Sequence, residues 1–175
     1  MAFLIKNSKS IQNIGGAQPV IDQWQRVNRA SLTIPATTTQ QLFRVYGGRI
    51  LVKALVGEVT TVIQTQTDNM KVSSKALDTA SAAVGTAVDV ASNLDITAME
   101  VGGMYFVEGD GTAGVKSTAG AALIGTNSGN WIAPQGEIYV TTSATNTGAM
   151  KWSIWYLPLD PEAYVVPVDT ATAAI

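Results

Sequence analysis

Between Ser31 and Ser74 short runs that alternate apolar and polar side chains with a period of two, the signature of half-buried β-strands, flank a more continuously apolar run. In "ASLTIPA" Leu32 and Ile34 alternate with Ser31 and Thr33 until Pro35 closes the run. In "QQLFRVY" Leu42 and Arg44 take one face, Phe43 and Val45 the other. Gly47-Gly48 marks a turn, and Arg49 to Val56 reads as a mostly buried strand. Gly57-Glu58 reads as a second turn, followed by a threonine-rich strand over Val59 to Thr67. Asp68-Asn69 then turns the chain into a strand in which Met70 and Val72 alternate with Lys71 and Ser73. Strands joined by such short turns predict an antiparallel meander.

The stretch "DTASAAVGTAVDVASNLDITAMEVGG" mixes two signals. Its alanines and the spacing of Leu94, Ala98 and Val101 favour helix, whereas Val84, Val88 and Val90 favour strand. It predicts a strand at Thr86 to Val90 and one helical turn near Leu94 to Ala98. "MYFVEG" is a short strand, and the Gly/Ala/Ser/Thr-rich stretch up to Asn130 predicts loops and short edge strands. Next, "WIAPQGEIYVTT" and "AMKWSIWYLP", linked by "SATNTG", predict a hairpin. On its return strand Met150, Trp152, Ile154 and Tyr156 share one face, with Lys151, Ser153, Trp155 and Leu157 opposite. Large rings on both faces mean the strand is covered on both sides. One face is core; the other meets an arm, a neighbouring subunit or a ligand.

Residues 1–29, with Gly15-Gly16 and Pro19, read as an N-terminal arm, with a helical turn over Ile21, Trp24 and Val27 as the alternative. Residues 161–175, with Pro161 and Pro167, read as a C-terminal tail. Between them, residues 30–160 carry roughly eight short strands with polar turns, which predicts an all-β antiparallel sandwich or barrel.

Composition narrows the function. Charged residues make up 14% of the 175, against roughly 25% in ordinary globular domains, and the difference is made up by a neutral polar surface suited to assembly. The net charge is −2 and the basic residues are scattered, so the basic face that nucleic-acid binding requires is missing. With no histidine and no cysteine, zinc sites and triads of the Ser-His-Asp and Cys-His types lose their members. No apolar run approaches the roughly 20 residues of a membrane span, and "MAFLIKNSKS" is too polar after Ile5 for a secretory signal. The chain therefore reads as made in the cytoplasm without export.

Candidate chemistry is sparse. Glu108 and Asp110 in "EGDGTAG" are the one pair placed to act as a glycosidase acid and nucleophile, or with Thr112 to begin a calcium site. A solvated glycine-rich turn is the reading these residues favour, since nothing distinguishes them from ordinary loop acids. The glycine pairs lack the spacing and the Lys-Ser/Thr of a phosphate-binding loop.

Three stretches carry a family resemblance: "LFRVYGGRILVKALVGEVTT", "GTAVDVASNLDITAMEVGGMYFVEGDG" and "APQGEIYVTTSATNTGAMKWSIWYLPLDPEAYV". They resemble small structural proteins of tailed bacteriophages, most closely the head decoration, or cement, proteins. The resemblance implies a jelly-roll-like sandwich with extended arms at both ends. It also implies a homo-trimer on the outside of an icosahedral head, bound to the major capsid protein and resident in the virion. It implies no cofactor and no catalytic motif. Ile21 and Trp24 in the first arm, Tyr164 to Val168 in the second (Tyr164 and Val166 above all), and Trp155 are then the expected adhesive contacts. Cutting away residues 1–29 is expected to leave a folded sandwich that no longer protects heads. Two other readings stay open: a tail or fibre-tip component binding a host-surface glycan through Trp155, and a small glycan hydrolase dependent on Glu108.

Overall fold

The computed structural model describes residues 24–35, 37–107, 109, 116–119 and 130–170, with 116–119 described as backbone. The strands are β1 (Gln25–Thr33), β2 (Thr39–Tyr46), β3 (Ile50–Thr61), β4 (Asn69–Ala76), β5 (Val88–Asp95), β6 (Gly103–Val107), β7 (Lys116–Ala119), β8 (Trp131–Ala133), β9 (Gly136–Thr142), β10 (Ala149–Pro158) and β11 (Tyr164–Pro167). They form two antiparallel sheets packed as a β-sandwich. The first runs β1-β10-β3-β6-β7, with β8 on the same edge of β3 as β6; the second runs β11-β2-β9-β4-β5. Between successive described strands the chain passes from one sheet to the other at seven of ten connections, and the strand orders β1-β10-β3-β6 and β2-β9-β4-β5 are those of a jelly roll.

This winding corrects the meander. Strands β2, β3 and β4 are consecutive, yet β3 lies in the first sheet and the other two in the second. The expected C-terminal hairpin is likewise divided, because β9 pairs with β2 and β4 while β10 pairs with β1 and β3. Turn residues reverse the chain without dictating whether the next strand rejoins its own sheet or the facing one. Either route buries the same alternate side chains.

The expected turn at Gly57-Glu58 is absent, since β3 runs through both residues. Gly57 lies opposite Trp152 on one side and Tyr105 on the other. A Cβ there would come within 2.8 Å of Met150 Cε and 2.9 Å of Trp152 Cη2. The glycine makes room for an indole laid across the strand.

The predicted helical turn is also corrected: Leu94 belongs to β5, and residues 97–98 form a turn in which Ala98 has φ 55°. Short alanine runs favour helix only weakly, and pairing with β4 overrides that preference. At the N-terminal end, Gln25 to Arg29, assigned to the arm from sequence, are strand and pair with Tyr156 to Trp152. Cutting after Arg29 would strip half an edge strand from the sheet. In the C-terminal tail, Tyr164–Pro167 is an edge strand on β2.

The core lies between the sheets. From the first come Val52, Leu55, Tyr105, Trp152, Ile154 and Tyr156; from the second, Phe43, Val45, Met70, Val72, Ile138 and Val140. Trp152 is thus the inner ring of its strand and Trp155 the outer one. Along one side a seam joins the edges of the two sheets. Arg29 Nε donates to Val168 O at 2.7 Å, and Ala30 N donates to Asp169 Oδ1 at 2.8 Å. Burial of Arg29 lowers its pKa to about 10, against the raising effect of Asp169.

The Gly47-Gly48 turn does form, with φ of 71° and 138°. Beside it the Arg49 guanidinium grips Asp160 through Nε at 3.0 Å and Nη2 at 2.9 Å, and Arg49 N donates to the same carboxylate at 2.7 Å. These side-chain and backbone bonds hold the Asp160 carboxyl at about 2, below its ordinary 3.8. A depressed carboxylate pKa contributes stability that is complete above the ordinary value and is lost as pH falls toward the folded one. Acid titration of stability from about pH 4 to about pH 2 should therefore be flatter in Asp160→Asn than in the parent. Parallel curves would remove Asp160 from the acid response.

Candidate binding face

The outer surface of the first sheet brings together two half-buried tryptophans, Trp24 and Trp155. Alternation along β10 sends Trp152, Ile154 and Tyr156 inward, so Trp155 points out, opposite Arg26 of β1 and Ala54 of β3. Trp24 immediately precedes β1 and is half-buried, as is Trp155. Trp24, Lys53, Ala54, Val56 and Trp155 together line a shallow depression of about 340 Å³.

A β-bulge builds one wall. Trp155 pairs with Ala54, but the next residue, Tyr156, pairs with Val52, leaving Lys53 as the extra residue. An inserted residue re-aims its side chain. Lys53 is accordingly exposed and its ammonium sits 4.7 Å from the centre of the Trp24 ring. The Arg26 guanidinium covers Trp155 in the same way, at 4.9 Å. Each indole therefore carries a cation on its ring.

A second depression, of about 450 Å³, adjoins the first and shares Val56 and Trp155 with it. Its polar side chains engage one another. Asn28 Oδ1 accepts from Arg26 Nε at 2.8 Å and from Ser153 Oγ at 2.8 Å, and Lys151 pairs with Glu58 at 2.8 Å. At the other end of the face, Leu157, Leu51 and Ile132 stand side by side across β10, β3 and β8. Ile132 is 59% exposed.

Of the residues singled out from sequence, the fold brings Trp24 and Trp155 together on this face. Tyr164 and Val166 lie elsewhere, on β11 of the second sheet, pointing outward with Val165 buried between them. Tyr164 stacks on Tyr46 with ring centres 5.3 Å apart. Ile21, Glu108 and Asp110 lie outside the described residues. Lys53 and Arg26 were not read from sequence as part of a site. Lys53 stands among core residues in a buried-strand pattern, and only the bulge turns it toward Trp24. Among the described residues no group of three or more His, Cys, Asp or Glu side chains could hold a metal ion.

Comparison of the chain with protein-family models and with curated proteins gives no match in either.

Proposed function

We propose that the protein is a virion structural component that binds the outside of an icosahedral phage head, as a homo-trimer contacting the major capsid protein, and stabilises the shell. The observation that carries this reading is the outer face of the first sheet. A sandwich that stood alone would turn polar side chains outward here, whereas this one presents Trp24, Trp155, Val56, Leu51, Leu157 and Ile132. Aromatic anchors ringed by cations and aliphatic side chains are the composition of a protein interface. The exposed Tyr46–Tyr164 stack on the second sheet offers a further contact surface.

A glycan-binding role in a tail or fibre tip is the second reading. What favours it is the flat Trp155 ring beside Asn28 and Ser153. The copy number of the protein in purified virions, measured against the major capsid protein, separates the two. A ratio near one is expected; a few per cent would place the protein in the tail and remove the cement role.

A further inference from the structure

We infer that the depression between Trp24 and Trp155 receives an acidic segment of a different protein, anchored by a large apolar side chain. This deepens the binding-face reading and rests on it, but not on the partner being a capsid. The lining sets the anchor: Trp24, Trp155, Ala54 and Val56 offer apolar surface, and about 340 Å³ admits a bulky side chain between the rings. Charge sets its flanks. The surface cations Arg49, Lys71 and Lys151 are paired with Asp160, Asp89 and Glu58. Arg26 and Lys53 have no carboxylate partner among the described residues; Lys53 lines this depression, and Arg26 stands beside it over the Trp155 ring. Each is held against a ring, so a carboxylate arriving beside the anchor meets a cation already in place.

Two other occupants fit less well. A sugar presents many hydroxyls and needs acceptors as well as donors, yet the side-chain polar groups of the lining, the Lys53 ammonium and the indole N–H groups of Trp24 and Trp155, only donate. The acceptors next door, Asn28 Oδ1 and Glu58, already serve Arg26, Ser153 and Lys151. A second copy docked through the same face would bring Arg26 and Lys53 against their own counterparts, and like charges across an interface disfavour it.

The chain's four tryptophans supply the test. Their indole N–H signals can be followed by NMR while the full-length protein is titrated with a blocked peptide, Asp-Glu-Phe-Asp-Leu-Glu. Its neutral Asn/Gln counterpart and sialyllactose are titrated in parallel. The acidic peptide should move the signals of Trp24 and Trp155 and leave Trp131 and Trp152 in place. The neutral peptide should bind about tenfold more weakly, with high salt reducing the difference. The double variant R26E/K53E should lose the response while its Trp131 and Trp152 signals stay native. Equal binding of both peptides, no movement with either, or a response to sialyllactose instead would overturn the inference. So would Trp24 and Trp155 signals that shift with protein concentration alone, since another copy would then fill the site. A low virion copy number would remove the cement role and leave this titration intact. Conversely, if the acidic peptide moves neither signal while the protein is abundant in virions, the inference fails and the cement role stands.

Discussion

Trp152→Ala should lower the free energy of unfolding by about 3–5 kcal/mol, whereas Trp155→Ala should cost no more than about 1 kcal/mol and instead weaken partner binding. The two rings are close in sequence and opposite in role. Trp152 is 2% exposed and fills the space above Gly57, a site with no side chain of its own to close the cavity that truncation would open. Trp155 loses an exposed contact with Arg26 and part of a binding face. Urea denaturation separates the cases through the midpoint at unchanged slope. A large loss for Trp155→Ala would mean that its ring supports the sandwich rather than a partner.

Asp68→Ala should cost about 2–3 kcal/mol, and Asp68→Asn about 1 kcal/mol. Asp68 is fully buried in the connection between β3 and β4. Its Oδ1 accepts from Ser143 N at 2.9 Å, Ser143 Oγ at 3.2 Å and Ala144 N at 3.0 Å, so it holds the start of the β9–β10 connection. Its own amide donates to Thr97 Oγ1 at 3.2 Å, and its carbonyl accepts from Ile96 N at 2.9 Å. Three loops meet at one residue. Asparagine keeps an oxygen for the Ser143 and Ala144 amides and gives up the charge, whereas alanine abandons both. Equal losses for the two variants would assign the effect to the charge.

Periodicity made the sandwich legible, because alternating apolar side chains need a second layer and the turn residues fall between the runs. The inward face of β10 was legible as a set; which of its two faces was inward was not. That choice depends on Gly57, which makes a place for Trp152, and a glycine inside a strand reads on the page as a turn. Sheet membership was hidden for a related reason, since Gly47-Gly48 and the connection before Ala149 mark reversals and not destinations. Trp24 and Trp155 were each legible as a candidate adhesive contact, but their meeting was not, because it depends on β1 pairing with β10 across most of the chain. Lys53 was obscured by a single-residue bulge, and Asp68 looked like an ordinary turn acid.

The position of β9 and β10 bears on how the chain reaches this fold. Each is made late, yet β10 lies between β1 and β3, and β9 between β2 and β4. Asn28 and Ser153, bonded across the first pair, are 125 positions apart. Until β9 and β10 have left the ribosome, β1 and β2 wait without a partner strand, while β3 can pair only with β6 and β8, and β4 only with β5. Such distant closures make assembly slow and nearly all-or-none. A nascent chain therefore carries unpaired apolar strand edges well before it can close them, and rapid synthesis at high level exposes it to association with its neighbours.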